Sequence, residues 1–285
     1  MRIIVDEFLS YLETKHAAKN TIASYERDII KFEQYFEKKG KKVYYLTNED
    51  MQEYLEYLEG EGKSNSTISR VSASIKSYYK YLLSKNLVES NIAKNIKTYK
   101  VEKKELSVLT KKEIQELLNE ATCEDLKGRR DQAMLQLLYA TGMRVTELIS
   151  IKISDVNLSS GKIKIAKSGI SRTISLSNSI LRYIKNYVKE IRPLLCKLDT
   201  DDALFLNSNG KKLTRQGFWK ILKKYKKSAK IEKELTPHTL RHSFAIHQLN
   251  DGMDIKQLQE ILGHTDVATT MMYNDFIQDT TINLD

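Results

Sequence analysis

The chain has 285 residues, of which 41% are hydrophobic and 29% are charged. This balance is typical of a globular protein and excludes a largely disordered one, while the length allows two domains with a core each. Lysine and arginine outnumber aspartate and glutamate by 47 to 37, so the net charge is +10. A basic chain favours a polyanionic partner such as nucleic acid, although lysine-rich solvated faces produce the same excess.

The N-terminal stretch and the cysteines restrict the compartment and the bound groups. No apolar run approaches the ~20 residues that span a bilayer, and Asp6 and Glu7 interrupt the apolar region that a signal peptide needs. We therefore expect a cytoplasmic protein that does not enter a membrane. The two cysteines, Cys123 and Cys196, form no CxxC pair and lack metal-ligand spacing. The sequence thus predicts no disulfide, no bound metal and no cofactor.

The first 97 residues contain four helical stripes of apolar residues joined by short polar connections. The stripes begin near residues 3, 21, 48 and 66, at or close to residues that cap helices well. Four helices of this length form a compact bundle. We therefore predict an N-terminal helical domain over residues 1–97.

Polar and basic residues gather around the starts of these helices. Helix N-termini that carry serine, threonine, lysine and arginine bind phosphate groups well. Ordinary capping and surface charge explain the same residues equally well. The candidate DNA contacts in this domain are Lys63, Arg70 and Lys76.

Residues 98–108 are charged and show no clear period. This pattern indicates an extended linker, although it contains neither proline nor glycine. The linker would join the bundle to a second domain over residues 109–285. A basic linker of this kind could lie along DNA while the two domains enclose the duplex from opposite sides.

The motif ATGMRVTEL places an arginine next to a glycine turn in the second domain. Gly142 breaks the helix that precedes it, and Arg144 opens the next one. An arginine at a helix start beside such a turn is well placed to meet a phosphate. The ordinary alternative is a surface arginine paired with Glu147.

The stretch 162–176, KIKIAKSGISRTISL, alternates apolar and polar residues around a Ser-Gly turn. This alternation predicts a β-hairpin with Lys167 at its tip and Arg172 on the returning strand. A lysine on a hairpin tip is most often only solvated. The fold predicted for the whole chain is therefore mainly α-helical with a small β-hairpin or sheet. With the linker along DNA, the two domains are expected to form a C-shaped DNA clamp.

Helices are predicted at about 179–192 and 214–230, and the second of these is strongly basic. Its candidate DNA contacts are Thr214, Arg215 and Lys220, alongside Arg172 of the hairpin. A basic solvated face would fit the same pattern nearly as well.

The last fifty residues carry the groups that phosphate chemistry needs. In PHTLRHSFA, His238 and Arg241 are three residues apart and share a helix face, with His242 beside them. A later helix ends at LGH, which leaves His264 in a turn, and a final helix over 266–273 presents Tyr273.

Taken in order, these motifs resemble the tyrosine recombinase (phage integrase) family, and specifically its short bacterial Xer type. The motifs are ATGMRVTEL, the hairpin lysine, PHTLRHSFA, LGH and, nine residues after the LGH histidine, the tyrosine of TTMMYN. The resemblance covers essentially the whole chain, including a core-binding domain of the SAM-like kind at the N-terminus. We see no arm-binding domain ahead of it, which argues against the larger phage and transposon integrases.

The resemblance implies a catalytic set with Tyr273 as the nucleophile. Its other members are Arg144, Lys167, His238, Arg241 and His264, with Glu147 and His242 in support. The hairpin is the least faithful part, since KSGISR has fewer basic residues than the family's usual turn and Lys162 and Lys164 lie nearby.

The resemblance also implies an assembly on a double-stranded recombination site. This would be a homo-tetramer, or a hetero-tetramer with a second recombinase, in which each C-terminal tail packs on a neighbouring protomer. The tail offers four apolar anchors, Phe276, Ile277, Ile282 and Leu284. A septal DNA translocase is a further possible partner, and chromosome-dimer resolution and mobile-element integration or excision both remain open.

These residue types suit a reaction that needs no metal. Two arginines can hold the non-bridging oxygens of a phosphodiester and remain charged at any relevant pH. A phenol has a pKa of about 10, so Tyr273 must lose its proton as it attacks, and His238 is the candidate to accept or relay it. The departing 5′-oxygen needs a proton, for which Lys167 is the candidate donor.

Two other functions fit parts of this pattern. A type IB topoisomerase-like enzyme would nick and reseal DNA as a monomer with the same groups. A DNA-binding regulator without turnover would need no catalytic set, and the set present here is full.

Overall fold

The computed structural model describes residues 2–94, 96, 106–121, 125–167, 170–196, 202–264, 266–274 and 276; for Arg2, Lys167 and Ile170 only the backbone is described. The chain divides into two compact units, Met1–Lys104 and Glu105–Asp285. Most of the predicted linker, 98–108, lies outside the described residues, so the linker stays a prediction, as does the clamp. Among the described residues, no helix is long and apolar enough to cross a membrane.

The N-terminal unit is a bundle of four long helices, as the apolar stripes predicted. They are α1 (Arg2–Thr14), α2 (Lys19–Glu37), α3 (Asn48–Gly60) and α4 (Asn65–Ser84), and a 3₁₀ turn covers Val43–Tyr45. The caps of α3 and α4 are Thr47 and Ser64, whose hydroxyls accept from the backbone N–H three residues on.

Tyrosines fill much of the core of this bundle. Tyr78, Tyr79 and Tyr81 on α4 are each at most 1% exposed. Their hydroxyls donate to Glu33 Oε1 at 2.6 Å, to the Val43 carbonyl at 2.6 Å and to a Glu7 carboxylate at 3.2 Å. Each buried phenol therefore has an acceptor, which removes the cost of burying an unpaired hydroxyl.

The C-terminal unit combines helices with one small sheet. Its helices are α5 (Lys111–Glu120), α6 (Leu126–Thr141), α7 (Val145–Leu148), α8 (Asn178–Asn186), α9 (Arg192–Leu195), α10 (Arg215–Ser228), α11 (Pro237–Asn250), α12 (Ile255–Leu262) and α13 (Ala268–Met271). The strands β1 (Val156–Asn157), β2 (Lys162–Lys167) and β3 (Ile170–Ser175) form an antiparallel sheet in sequence order. The predicted hairpin is confirmed, and it pairs Lys162 with Ser175 and Lys167 with Ile170.

Two predicted helices differ from the structure. The helix expected at 179–192 is interrupted by a π-helical turn at Tyr187–Ile191, directly before α9. Pro193, at the start of α9, has no N–H to continue the α-helical ladder, so the chain widens ahead of it. The final helix expected over 266–273 is only α13, and Tyr273 follows that helix.

Gly142 controls how α6 meets α11 and α12. It ends α6 in the left-handed region, at φ +56°, where a residue with a side chain is strained. A Cβ built there would lie 2.3 Å from Cδ1 of Phe244 on α11 and 3.0 Å from Cδ2 of Leu262 on α12. Only glycine allows these helices to approach so closely.

We expect Gly142→Ala to destabilise the C-terminal unit by about 2–4 kcal/mol, since backbone strain of about 1 kcal/mol adds to overpacking of about 1–3 kcal/mol. Gly252→Ala is the matched control, because φ is +89° there but nothing lies within 4 Å of its Cβ. Urea unfolding followed by the fluorescence of Trp219, the only tryptophan, measures both. Equal decreases in the free energy of unfolding of the two variants would show that close packing at Gly142 does not contribute to stability.

Candidate active site

The C-terminal unit brings four of the sequence motifs to one place. Arg144 is the N-cap residue of α7, and Arg241 and His242 lie on α11. His264 follows the glycine that ends α12. Tyr273 comes just after α13, within a small cluster of apolar residues from α11 and α12. Hydrogen bonds connect most of these residues directly.

The buried guanidinium of Arg241 is the centre of this network. Its side chain is 4% exposed, and it donates to the carbonyl of Gly142 at 2.7 Å and to that of Leu262 at 2.8 Å. A third bond joins Nη2 to Nε2 of His264 at 2.8 Å. Burial and the charge of Arg144 lower the pKa of Arg241 to about 10, so it remains a cation at neutral pH.

The bond to Arg241 determines the protonation of His264. A guanidinium only donates, so Nε2 of His264 must accept and the ring must be neutral. Its Nδ1 then carries the proton and donates to Oγ1 of Thr270, 2.8 Å away. In agreement, burial and then the charges of Arg241 and Arg144 lower the pKa of His264 to about 4.

Tyr273 is 1% exposed, and its hydroxyl lies 2.9 Å from Nδ1 of His242. Burial raises the pKa of the phenol and outweighs the opposing effects of Arg241 and Arg144. Burial also lowers the pKa of His242 to about 4, with help from His238 and Arg241. Both groups are therefore neutral at physiological pH.

His238 is exposed at the start of α11, and its ring stacks on that of His242 with centroids 6.3 Å apart. Partial desolvation and the charges of Arg215, Arg241 and Arg144 lower its pKa. The sequence hypothesis assigned the phenol's proton to His238. In the described structure, the histidine that bonds to the hydroxyl of Tyr273 is His242.

Glu147 connects Arg144 to Arg172 of the hairpin through hydrogen bonds and ion pairs. Its buried carboxylate accepts from the backbone N–H of Arg144 at 2.7 Å and from both terminal nitrogens of Arg172, at 3.1 and 3.0 Å. Burial alone would raise the pKa of Glu147, but these bonds and the two positive charges lower it. The Arg144 side chain lies 3.5 Å from the same carboxylate and is 35% exposed, so it also reaches solvent.

Arg172 has a structural role that the sequence did not reveal. Besides Glu147, it donates through Nε to the carbonyl of Ile261 at 2.7 Å, near the end of α12. It therefore joins β3, α7 and the turn that carries His264. A contact of Arg172 with DNA stays a prediction.

The other predicted DNA contacts lie on both units and also stay predictions. Lys63 is exposed, Arg70 bonds to Asp28 and Ser24, and Lys76 donates to the Ile96 carbonyl. Thr214 caps α10 through the Gly217 N–H. Arg215 and Lys220 are exposed on α10, and Lys162 and Lys164 are exposed on β2. Lys167 ends β2, and its side chain lies outside what is described, as does the tail beyond Phe276.

His247, further along α11, is buried, and its Nδ1 bonds to the Tyr139 hydroxyl at 2.8 Å. Across the described ranges, no group of three histidine, cysteine, aspartate or glutamate side chains could hold a metal ion.

Comparison with known proteins identifies this arrangement. The phage integrase family model matches residues 107–278, and the N-terminal SAM-like domain of phage integrases matches residues 5–86. The tyrosine recombinase XerD of Staphylococcus epidermidis is 40% identical over 96% of this chain and 94% of its own length. The XerD of Oceanobacillus iheyensis is 39% identical over 94% of this chain and 92% of its own.

Solved structures agree on the fold. The crystal structure of XerA recombinase shares 27% identity with a TM-score of 0.55, covering 98% of this chain and 96% of that one. XerH bound to its palindromic difH substrate gives a TM-score of 0.77 at 24% identity, over 94% of this chain and 79% of that one.

The chain therefore belongs to the phage integrase family, as the motifs indicated. Within that family it is a tyrosine recombinase of the Xer type, an enzyme that cleaves and rejoins DNA strands.

The neutral histidines make the C-terminal unit sensitive to acid. His242 and His264 have a pKa of about 4 in the folded state, below the ordinary value of about 6.5. Between these values the unfolded chain binds protons that the folded chain does not. Above about pH 6.5 the histidines do not reduce the free energy of unfolding. As the pH decreases below this value, each imidazole lowers the free energy of unfolding by about 1.4 kcal/mol per pH unit.

Urea unfolding between pH 4.5 and 7.5, followed by Trp219 fluorescence, measures this slope. His264→Gln keeps an acceptor for Arg241 but does not titrate, so its slope should be shallower by about 1.4 kcal/mol per pH unit. His16→Asn, at an exposed position of the other unit, should leave the slope unchanged. An unchanged slope in His264→Gln would contradict the neutral, buried state of this ring.

Arg172→Met should destabilise the C-terminal unit by about 3 kcal/mol, because it leaves Glu147 buried without its main partner. The exposed Arg215→Met is the matched control and should change stability by less than about 0.5 kcal/mol. The same unfolding measurement at pH 7 compares them. If Arg172 acted only on DNA, its loss would weaken DNA binding and leave stability intact.

Proposed function

We propose that this chain is a site-specific recombinase that cuts DNA through a 3′-phosphotyrosyl intermediate on Tyr273. The observation that carries the proposal is the hydrogen-bonded convergence of Arg241, His264, His242 and Tyr273, beside Arg144. The Xer-named relatives, which match nearly the full chain, support a role in resolving chromosome dimers. Integration or excision of a mobile element is the second candidate for the same chemistry.

In this proposal, Arg144 and Arg241 hold the scissile phosphate, and His264 orients Arg241 through its Nε2. Arg241 is fixed by two backbone carbonyls, and the side chain of Arg144 is held by Glu147. Guanidinium groups held in this way can receive the charge that builds up on the non-bridging oxygens without moving first. His238 is exposed at the start of the same helix, and in this proposal it contacts the same phosphate.

The cleavage step exchanges one phosphate ester for another. The oxygen of Tyr273 forms a bond to phosphorus as the bond to the 5′-oxygen breaks, and the leaving oxygen takes a proton, for which Lys167 is the candidate donor. Because the phosphotyrosyl bond conserves the energy of the phosphodiester, a 5′-hydroxyl can reverse the step without ATP. Exchange follows when that hydroxyl belongs to another duplex.

The partner is a double-stranded recombination site bound by several protomers. Relatives of the same fold have been solved on DNA, such as XerH on difH and a lambda integrase dimer on a COC′ core site. We propose a tetramer, formed with itself or with a second recombinase, in which the tail after Tyr273 packs on a neighbouring protomer. Phe276, a described residue of that tail, packs on the apolar cluster around Tyr273. A septal DNA translocase would be an additional partner.

Covalent trapping tests this function. The protein would be incubated without metal on nicked duplexes from the replication-terminus region of its host, and denaturing gels would show any SDS-resistant complex. We expect a complex with the wild type and none with Tyr273→Phe, which removes only the attacking oxygen and keeps DNA binding. Tyr183→Phe, a partly buried tyrosine of the same unit, is the matched control and should still form the complex.

A complex formed equally by Tyr273→Phe would refute the nucleophile. Relaxation of supercoiled plasmids by isolated monomers would favour the topoisomerase-like alternative. Salt-sensitive DNA binding without any complex, on all duplexes tested, would favour the regulator.

A further inference from the structure

The environment of the Tyr273 hydroxyl specifies where its proton points. The hydroxyl is buried, 2.9 Å from Nδ1 of His242. The positive charge of Arg241 lies close enough to lower the pKa of the phenol, against the larger effect of burial. A nearby cation favours the orientation in which the hydroxyl oxygen faces it and the hydrogen points away. The hydroxyl hydrogen is then available to the imidazole.

His242 is suited to receive that hydrogen. Its ring is partly buried on α11, and its neighbours Arg241 and His238 disfavour a positive charge on it. A neutral imidazole carries one hydrogen. If that hydrogen were on Nδ1, it would point at the phenol oxygen, and the buried hydroxyl would turn its own hydrogen toward the Arg241 cation. The hydrogen bonds are satisfied when Nδ1 is bare and Nε2 carries the hydrogen.

We propose that His242 is the catalytic base of this enzyme: its Nδ1 takes the proton of Tyr273 during cleavage and returns it during rejoining. The proposal rests on the proposed role of Tyr273 and assigns to His242 a step that the sequence had left to His238. His242 contacts the oxygen of Tyr273 directly, whereas the ring of His238 stacks on that of His242 with centroids 6.3 Å apart.

The step balances without any further reactant. As the phenol oxygen bonds to phosphorus, the O–H electron pair stays on oxygen and the proton moves to Nδ1, giving an imidazolium. The 5′-oxygen leaves with its bonding pair and is protonated by a separate donor. In rejoining, the 5′-hydroxyl attacks phosphorus and returns its proton to that separate donor, while the phenol oxygen leaves with its bonding pair and is protonated by His242.

The phenol and the imidazole are both neutral before DNA binds, and burial opposes charge on each. Transfer ahead of the attack would create two buried charges, so the proton moves as the new bond forms. The incoming phosphate is negative and lies near Arg241, which makes the nascent imidazolium less costly at that moment.

Nitrogen NMR of the DNA-free protein is the first test, and it does not depend on finding the DNA site. Histidine labelled with ¹⁵N would be incorporated, and the His242 signals would be assigned by comparison with His242→Asn. We expect a neutral ring with a bare Nδ1 at pH 6, since the pKa is about 4. A proton on Nδ1, or a charged ring at pH 6, would overturn the proposal.

The second test is the pH profile of single-turnover cleavage on a nicked duplex that traps the wild type. His242→Asn keeps an amide near the position of Nδ1, so it preserves the tyrosine's neighbour but cannot take a proton. We expect its cleavage rate to fall by about 100-fold or more at pH 7. The remaining rate should rise about tenfold per pH unit, because hydroxide must then remove the proton, while the wild type stays flat from pH 6.5 to 8.5.

His238→Asn is the comparison variant, because its ring is exposed on the same helix. If His242 is the base, the rate of His238→Asn falls with a flat pH profile. If His238→Asn shows the rising profile and His242→Asn does not, the base is His238 and the proposal fails. If His242→Asn lowers the cleavage rate without changing its pH dependence, His242 is only a positioning residue, and the proposal is also overturned.

Discussion

The active site depends on one buried cation, the guanidinium of Arg241. It is 4% exposed and bonds to two carbonyls and one imidazole, so its donors hold the ends of two helices together. A buried charge without such partners would cost several kcal/mol. The charge of this guanidinium also acts on Tyr273, where it lowers the pKa of the phenol against the larger effect of burial. The bonds that stabilise the folded C-terminal unit are therefore the same bonds that position Arg241 in the site.

The second constraint is an accumulation of positive charge. Within the part of the site that the structure describes, the charges of Arg144, Arg172 and Arg241 all act near one buried carboxylate, that of Glu147. Burial, and after it positive charge of this kind, keeps the nearby histidines neutral. The same charge makes the site electrostatically favourable for an anion. A phosphodiester supplies that anion, so the charge that disfavours protonated histidines in the free protein favours the substrate.

Much of this could be predicted from sequence because the signals are local. The four helices of the first unit follow apolar stripes and caps such as Thr47, and the hairpin follows strict alternation. The partners of Arg172 and His242 could not be predicted in the same way, because Glu147 and Tyr273 lie 25 and 31 positions away along the chain. Only the packing of β3 and α11 brings them together. The sequence places His238 and His242 on one helix, but it does not reveal which of the two rings faces the phenol.

Arg241 caps the C-terminal ends of α6 and α12 through the carbonyls of Gly142 and Leu262, where a helix dipole favours a cation. Loss of this arginine therefore damages the fold as well as the chemistry, and such a chain would be removed by proteolysis before it could join an assembly. On the proposed mechanism, loss of the Tyr273 hydroxyl would leave a well-folded but inert subunit. In a cell that also makes the normal protein, the first change would be genetically recessive, whereas the second would inactivate mixed assemblies of the kind we propose and be dominant.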